Sequence, residues 1–118
     1  MPFTISARDE CMPYTTKDGS VIREIRKAAN QSLAEATVAP GQTTAPHYHI
    51  KSEEIYYILC GRGMMWLEGK EKAVGTGDAI LIPPHQRHSI RNTGSSDLVF
   101  LCCCAPGYSH DDTVLVQE

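Results

Sequence analysis

Short apolar stretches separated by turn-forming residues set the pattern of this chain. Turn signals recur at Pro13, Asp18-Gly19, Pro40-Gly41, Gly61 to Gly63, Glu68-Gly69-Lys70, Gly75 to Asp78, Pro83-Pro84, Asn92 to Ser96 and Pro106-Gly107. The segments between them are short, and this spacing predicts an all-β sandwich or barrel. Strands are expected over residues 21–26, 33–38, 47–49, 54–59, 63–67, 70–74, 79–82, 88–91 and 97–103. The best helical alternative is 24–35, where Ala28, Ala29 and Leu33 share a stripe. Asn30 to Ser32 interrupts it, so strand, loop and strand is the expectation there.

Successive strand residues point to opposite faces, which turns these segments into statements about side chains. His47 and His49 leave one face and Tyr48 the other. Glu54 breaks parity with the two histidines and therefore requires a turn within Ile50 to Glu53, with Lys51-Ser52 as a polar corner. Beyond it, Tyr56, Ile58 and Cys60 share the face of Glu54, while Ile55, Tyr57 and Leu59 take the other. Both faces are apolar, as in a strand held between layers or between a barrel interior and a partner subunit. By the same parity His88, Ile90 and Asn92 share a face, and Cys102 and Cys104 lie opposite Cys103.

Composition narrows the classes. A chain of 118 residues with 42% hydrophobic content supports one compact core, so one domain over 1–118 is expected. The net charge of −3 comes from scattered acids and bases, which leaves no basic face for a phosphate backbone and excludes nucleic acid as the expected partner. No run approaches the roughly 18 apolar residues of a spanning helix, and the N-terminal segment lacks the pattern of a signal peptide. The expectation is a cytoplasmic protein with no membrane partner. Five cysteines, three of them adjacent, are a poor layout for a disulfide framework and read as reduced thiols. Small buried core positions are expected for them, with a pocket-lining or redox-active cysteine as the alternative.

Two histidines converging on one strand face, a carboxylate five residues later, and His88 after the Pro83-Pro84 corner make four candidate metal ligands on two hairpins. The spacing resembles that of the cupin superfamily. Its first motif is a Gly, five residues, His-x-His, three or four residues, Glu, six residues and Gly; here Gly41, His47, His49, Glu54 and Gly61 stand in register over 41–61. Its second motif is met over 77–92 by Gly77, Pro83, His88 and Asn92, while His85 stands where the family has Gly. Glu53 competes with Glu54, and the six-residue step to Gly61 selects Glu54. The resemblance implies a small single-domain jelly-roll barrel, or double-stranded β-helix, in which His47, His49, Glu54 and His88 bind one divalent metal.

Three imidazoles and one carboxylate suit iron, manganese, nickel, copper or zinc, and leave a net charge of +1 on a divalent ion. An octahedral ion keeps two open positions for water, a bidentate substrate or dioxygen. Two functions follow. One is a metal-dependent enzyme acting on a small oxygenated organic molecule, as a dioxygenase or by isomerase, lyase or decarboxylase chemistry. The other is a non-catalytic small-molecule or sugar-binding and sensing module, since one fold hosts both. Tyr56 and His85 are the catalytic candidates. Tyr56, Ile58, Ile90 and Phe100 or Leu101 are candidates for the pocket wall. Arg23, Arg62, Arg87 and Arg91 can offer an anion contact, although a surface position is the plainer reading of each. Trp66 with Met64-Met65 belongs to the core or to a subunit interface, and a homodimer is expected.

Overall fold

The structure, a computed structural model, describes residues 3–116. Its strands are β1 (Tyr14–Thr15), β2 (Val21–Lys27), β3 (Ser32–Val38), β4 (His47–His49), β5 (Glu53–Cys60), β6 (Arg62–Leu67), β7 (Lys70–Gly75), β8 (Ala79–Ile82), β9 (His88–Asn92), β10 (Leu98–Ala105) and β11 (Thr113–Leu115). They form two antiparallel sheets, one in the order β1-β2-β3-β10-β5-β8 and the other β11-β4-β9-β6-β7. The result is the all-β jelly-roll barrel that the turn spacing and the motifs imply.

All nine expected strands form. The hairpin of β2 and β3, closed by the Ala28 N–H donating to the Gln31 carbonyl at 2.8 Å, replaces the helical alternative. Two strands were not expected. β1 is only two residues long, and β11 pairs with β4 across more than sixty residues of chain, so neither carries a local signal.

Inside the barrel, Val38, Ile58, Ile90, Leu98 and Phe100 are packed with almost no exposure. Close packing here needs glycine at the end of β5. Gly61 ends β5 at φ +91°, and a Cβ on it would stand 2.8 Å from the Asp97 carbonyl oxygen, so both its conformation and its space exclude a side chain. Glu68 and Gly69, both at positive φ, close the two-residue turn between β6 and β7.

Parity along β5 holds from Glu54 to Ile58 and then fails. Glu54, Tyr56 and Ile58 are buried, and Ile55, Tyr57 and Leu59 face outward. Cys60, expected inside, is exposed. The reason is a bulge: Val99 pairs with Cys60 and Phe100 with Ile58, so Leu59 is an extra residue that breaks the alternation. On the outer face Ile55, Tyr57, Leu59 and Leu81 are 41%, 42%, 39% and 56% exposed, so in the single chain this apolar surface is uncovered. Cys102 and Cys104 are buried as expected of core cysteines, whereas Cys60 and Cys103 are exposed and Cys11 is half-buried, which corrects that expectation for these three. None of the five is in a disulfide. Met65 enters the core, and its neighbours Met64 and Trp66 are half-buried. No helix among the described residues is long and apolar enough to cross a membrane.

Candidate metal centre

His47 and His49 stand on β4, His88 on β9 and Glu54 on β5, so the four residues come from both sheets and meet between them. His47 and His88 are direct cross-strand partners. Glu54 lies opposite Cys104 on β10, which donates its thiol proton to Glu54 Oε2 at 3.2 Å and leaves Oε1 facing the histidines. The turn that returns Glu54 to the interior is not a loose polar corner. Asp112 accepts from the Lys51 N–H at 2.8 Å and the Ser52 N–H at 3.1 Å, and the Ser52 hydroxyl, itself buried, donates to the Pro106 carbonyl at 2.6 Å.

The hydrogen bonds on the far side of each ring fix its tautomer. Nδ1 of His47 is 2.9 Å from the Ala45 carbonyl, and Nδ1 of His88 is 2.9 Å from the Gln86 carbonyl. A carbonyl only accepts, so both Nδ1 atoms carry the proton. His49 reaches the same state through Thr113 on β11. The Thr113 hydroxyl spends its proton on the Ser109 carbonyl at 2.9 Å and must accept from His49 Nδ1 at 3.1 Å. All three Nε2 atoms are therefore lone-pair donors.

These lone pairs converge. One ring nitrogen of each histidine lies within 4.8 Å of the other two. Glu54 Oε1 is 3.2 Å from His49 Nε2 and 3.6 Å from His88 Nε2. His49 Nε2, His88 Nε2 and Glu54 Oε1 are buried, and no donor reaches any of them among the described residues. Buried acceptors facing one another at these distances repel unless a positive charge lies between them. Three neutral imidazoles and one carboxylate are the donor set that a borderline divalent ion takes, so these residues fit a metal.

Electrostatics agree with an ionised carboxylate and a neutral His47 ring. Burial pushes the Glu54 carboxyl up, but His49 and His88, when protonated in the metal-free protein, outweigh it and hold it at about 2. His47 is held below the usual histidine range, first by burial and then by the neighbouring His88. Burial and the Glu54 charge push the Tyr56 hydroxyl well above its ordinary range, so Tyr56 is a neutral donor near neutral pH. Burial likewise pushes Tyr108 up to about 12.

The cavity above the cluster has a volume of about 40 Å³, room for a few water-sized groups. Of the expected wall residues, Tyr56 and Phe100 line it; Ile58, Ile90 and Leu101 do not. Its walls are instead made by small residues, among them Ser32, Ala34, Ala36, Cys102 and Cys104. His85 is exposed, does not line the cavity, and lies over Tyr48 with ring centres 6.1 Å apart. It keeps a left-handed φ of 67°, so the turn of the motif survives without its glycine, and its N–H donates to the His49 carbonyl at 2.7 Å. None of the four arginines reaches the cavity; Arg87 pairs with Glu68, and Arg23 donates to the Cys11 carbonyl. Sequence reasoning missed Asp18, Tyr14, Tyr108 and Thr113, all of which line the site. For Asp18 the turn pair Asp18-Gly19 was visible, but nothing local placed it beside His47.

A family described as Cupin domain matches residues 34–104. An uncharacterized protein of Methanocaldococcus jannaschii is 51% identical over 114 residues, covering 92% of this chain and 91% of that protein. An oxalate-binding protein of Thermotoga maritima is 40% identical over 69 residues, 58% of this chain and 57% of that protein. Among solved structures, Pac13 from Streptomyces, a nucleoside dehydratase, superposes with a TM-score of 0.82 at 19% identity, covering 98% of this chain and 92% of that one.

Proposed function

This chain belongs to the cupin family, and we propose on that premise that it is a divalent-metal-dependent enzyme acting on a small oxygenated organic molecule. The observation that carries this reading is the set of buried acceptors, His49 Nε2, His88 Nε2 and Glu54 Oε1, that meet without a donor. In it His47, His49, His88 and Glu54 hold one ion, drawn from iron, manganese, nickel, copper or zinc. When bound, such an ion supplies Lewis-acid polarisation of a substrate oxygen, or electron transfer if it is redox-active.

The chain's own residues supply the rest. Thr113, Ala45 and Gln86 keep the three imidazoles in the metal-binding tautomer, and Cys104 orients the Glu54 carboxylate. Tyr56, buried beside His88 with ring centres 6.0 Å apart, keeps its proton, and this supports it as the proton donor of the proposed reaction. A neutral phenol at the edge of a metal site suits isomerase, lyase or decarboxylase chemistry, in which a proton is delivered to the reacting molecule, as well as dioxygenase chemistry. His85, exposed outside the cavity, has no such part.

A second reading is a non-catalytic binding module, favoured by the Thermotoga relative whose name is oxalate-binding protein. Reloading the metal-free protein with each of the five ions and assaying dioxygen uptake and product mass against diketones, phenols and hydroxy acids separates the two. The enzyme reading expects turnover that needs metal and disappears in His49→Ala. Binding of panel members without turnover under every ion contradicts it.

We further read the chain as a cytoplasmic single-domain homodimer. The outer face supports the dimer: Ile55 lies between Cys103 and Leu81, and Tyr57 between Leu101 and Ala79, which gives an exposed, largely apolar surface that two copies can share about a two-fold axis. A monomer mass by light scattering at micromolar concentration would remove the dimer.

A further inference from the structure

Asp18 and Glu24 are the acidic residues of the cavity that the motifs do not account for, and Asp18 is the one that meets the histidines. It sits in the turn between β1 and β2, and its orientation is locked from one side. Its Oδ1 accepts from the Thr16 hydroxyl at 2.6 Å, the Ser20 N–H at 2.9 Å and the Ser20 hydroxyl at 2.6 Å. All of these bonds fall on one oxygen. The other, Oδ2, is turned inward to 3.7 Å from His47 Nε2, and the side chain is only 12% exposed. The local network therefore holds a carboxylate against the histidine cluster, on the His47 side, while Glu54 Oε1 meets His49 and His88 from the other.

We propose that Asp18 determines the ligand class of this site: its carboxylate cancels the positive charge that a bound divalent ion would offer an anion, so the cavity takes neutral, hydroxyl-bearing molecules rather than carboxylates or phosphates. This rests on the metal-centre reading given above. A divalent ion with Glu54 alone keeps a charge of +1; with Asp18 beside it the local sum is zero. Nothing else restores the attraction, because no Lys or Arg lines the cavity among the described residues. Lys27 belongs to the outer groove that shares Tyr14, Glu24 and Tyr108 with the cavity, and there Glu24 and Asp111 accompany it. The cavity presents Asp18 and Glu24 as acceptors and the Tyr14 and Tyr108 hydroxyls beside them, a lining that a ligand meets best with O–H donors of its own.

The test uses the full chain loaded with cobalt(II), whose visible absorption reports ligands entering its coordination sphere. Oxalate serves as the anionic probe and glycerol as the neutral hydroxyl-bearing one, each titrated into wild type and Asp18→Asn. Asparagine keeps the Oδ1 acceptor for Thr16 and Ser20, removes the charge and puts a neutral NH2 where Oδ2 stood. The expected result is an oxalate affinity at least about tenfold tighter in the variant, with glycerol changed by less than about twofold. Asp18→Ser, also uncharged, carries the same expectation where the first variant does not fold. Unchanged or weaker oxalate binding to a cobalt-loaded variant overturns the assignment of Asp18 alone. Loss of cobalt from the variant but not from wild type also overturns it, since Asp18 would then hold the ion rather than select the ligand. Failure of wild type to take up cobalt overturns the metal-centre reading, and this inference with it.

Discussion

Followed along β3, β10 and β5, the barrel interior changes character from one end to the other. At one end Ser32, Cys104 and Glu54 lie side by side, and Ala34, Cys102 and Tyr56 form the next row. Ala36, Phe100 and Ile58 come next, and Val38 and Leu98 close the far end. β9 repeats the gradient from His88 to Ile90. The first rows are small or polar and enclose a cavity; the last are large, apolar and tightly packed. The same strands thus serve two purposes. The packed end stabilises the fold, and that rigidity lets the other end hold convergent, unpartnered acceptors that would otherwise destabilise it.

If the two ends are independent in this way, damage to one should spare the other. The largest effect is expected from Ile58→Ala, which removes a fully buried side chain from the packed end and should cost about 3 kcal/mol of stability in denaturant unfolding. Metal uptake by the folded variant should stay unchanged; a parallel loss of metal would show that the ends are coupled. Acidification acts on the opposite end. In the metal-free protein Glu54 is held at about 2, below the ordinary 4.5, and His47 below the ordinary 6.5. In both cases the unfolded chain binds the proton more readily. Stability is therefore complete above about pH 6.5 and is lost, first through His47 and then through Glu54, as the pH falls toward 2. Chemical unfolding as a function of pH checks this, and a flat profile between pH 7 and pH 3 contradicts it. The smallest effect is expected from Thr113→Val, which removes the acceptor of His49 Nδ1 and should weaken metal affinity by about tenfold with little change in fold.

The gradient was only partly readable from the chain. Strand parity is a local property, and it put His47 with His49, and Glu54 with Tyr56 and Ile58, on common faces without knowledge of the fold. It failed at Cys60, where a bulge against Val99 intervenes, because a bulge is decided by the partner strand. The supporting groups were out of reach for the same reason. Thr113 is 64 residues from the histidine it orients, Asp112 is 60 from the Ser52 N–H it holds, and Cys104 is 50 from Glu54. Asp18 meets His47 because the turn between β1 and β2 is bonded to the segment before β4, where the Ala45 N–H donates to the Asp18 carbonyl at 2.7 Å. Of the expected pocket wall, Tyr56 and Phe100 line the cavity, while Ile58 and Ile90 are fully buried in the packed rows, a division set by depth in the barrel and not by strand parity.

The convergent acceptors of His47, His49, His88 and Glu54 are expected to bind one ion. Titration of the metal-free protein with cobalt(II), followed by visible absorption in wild type and in His88→Ala, measures this directly. The prediction is one ion per chain in wild type and no saturable uptake in the variant, with both retaining a β-rich circular dichroism spectrum. Stoichiometric uptake by folded His88→Ala, or none by wild type, would contradict it.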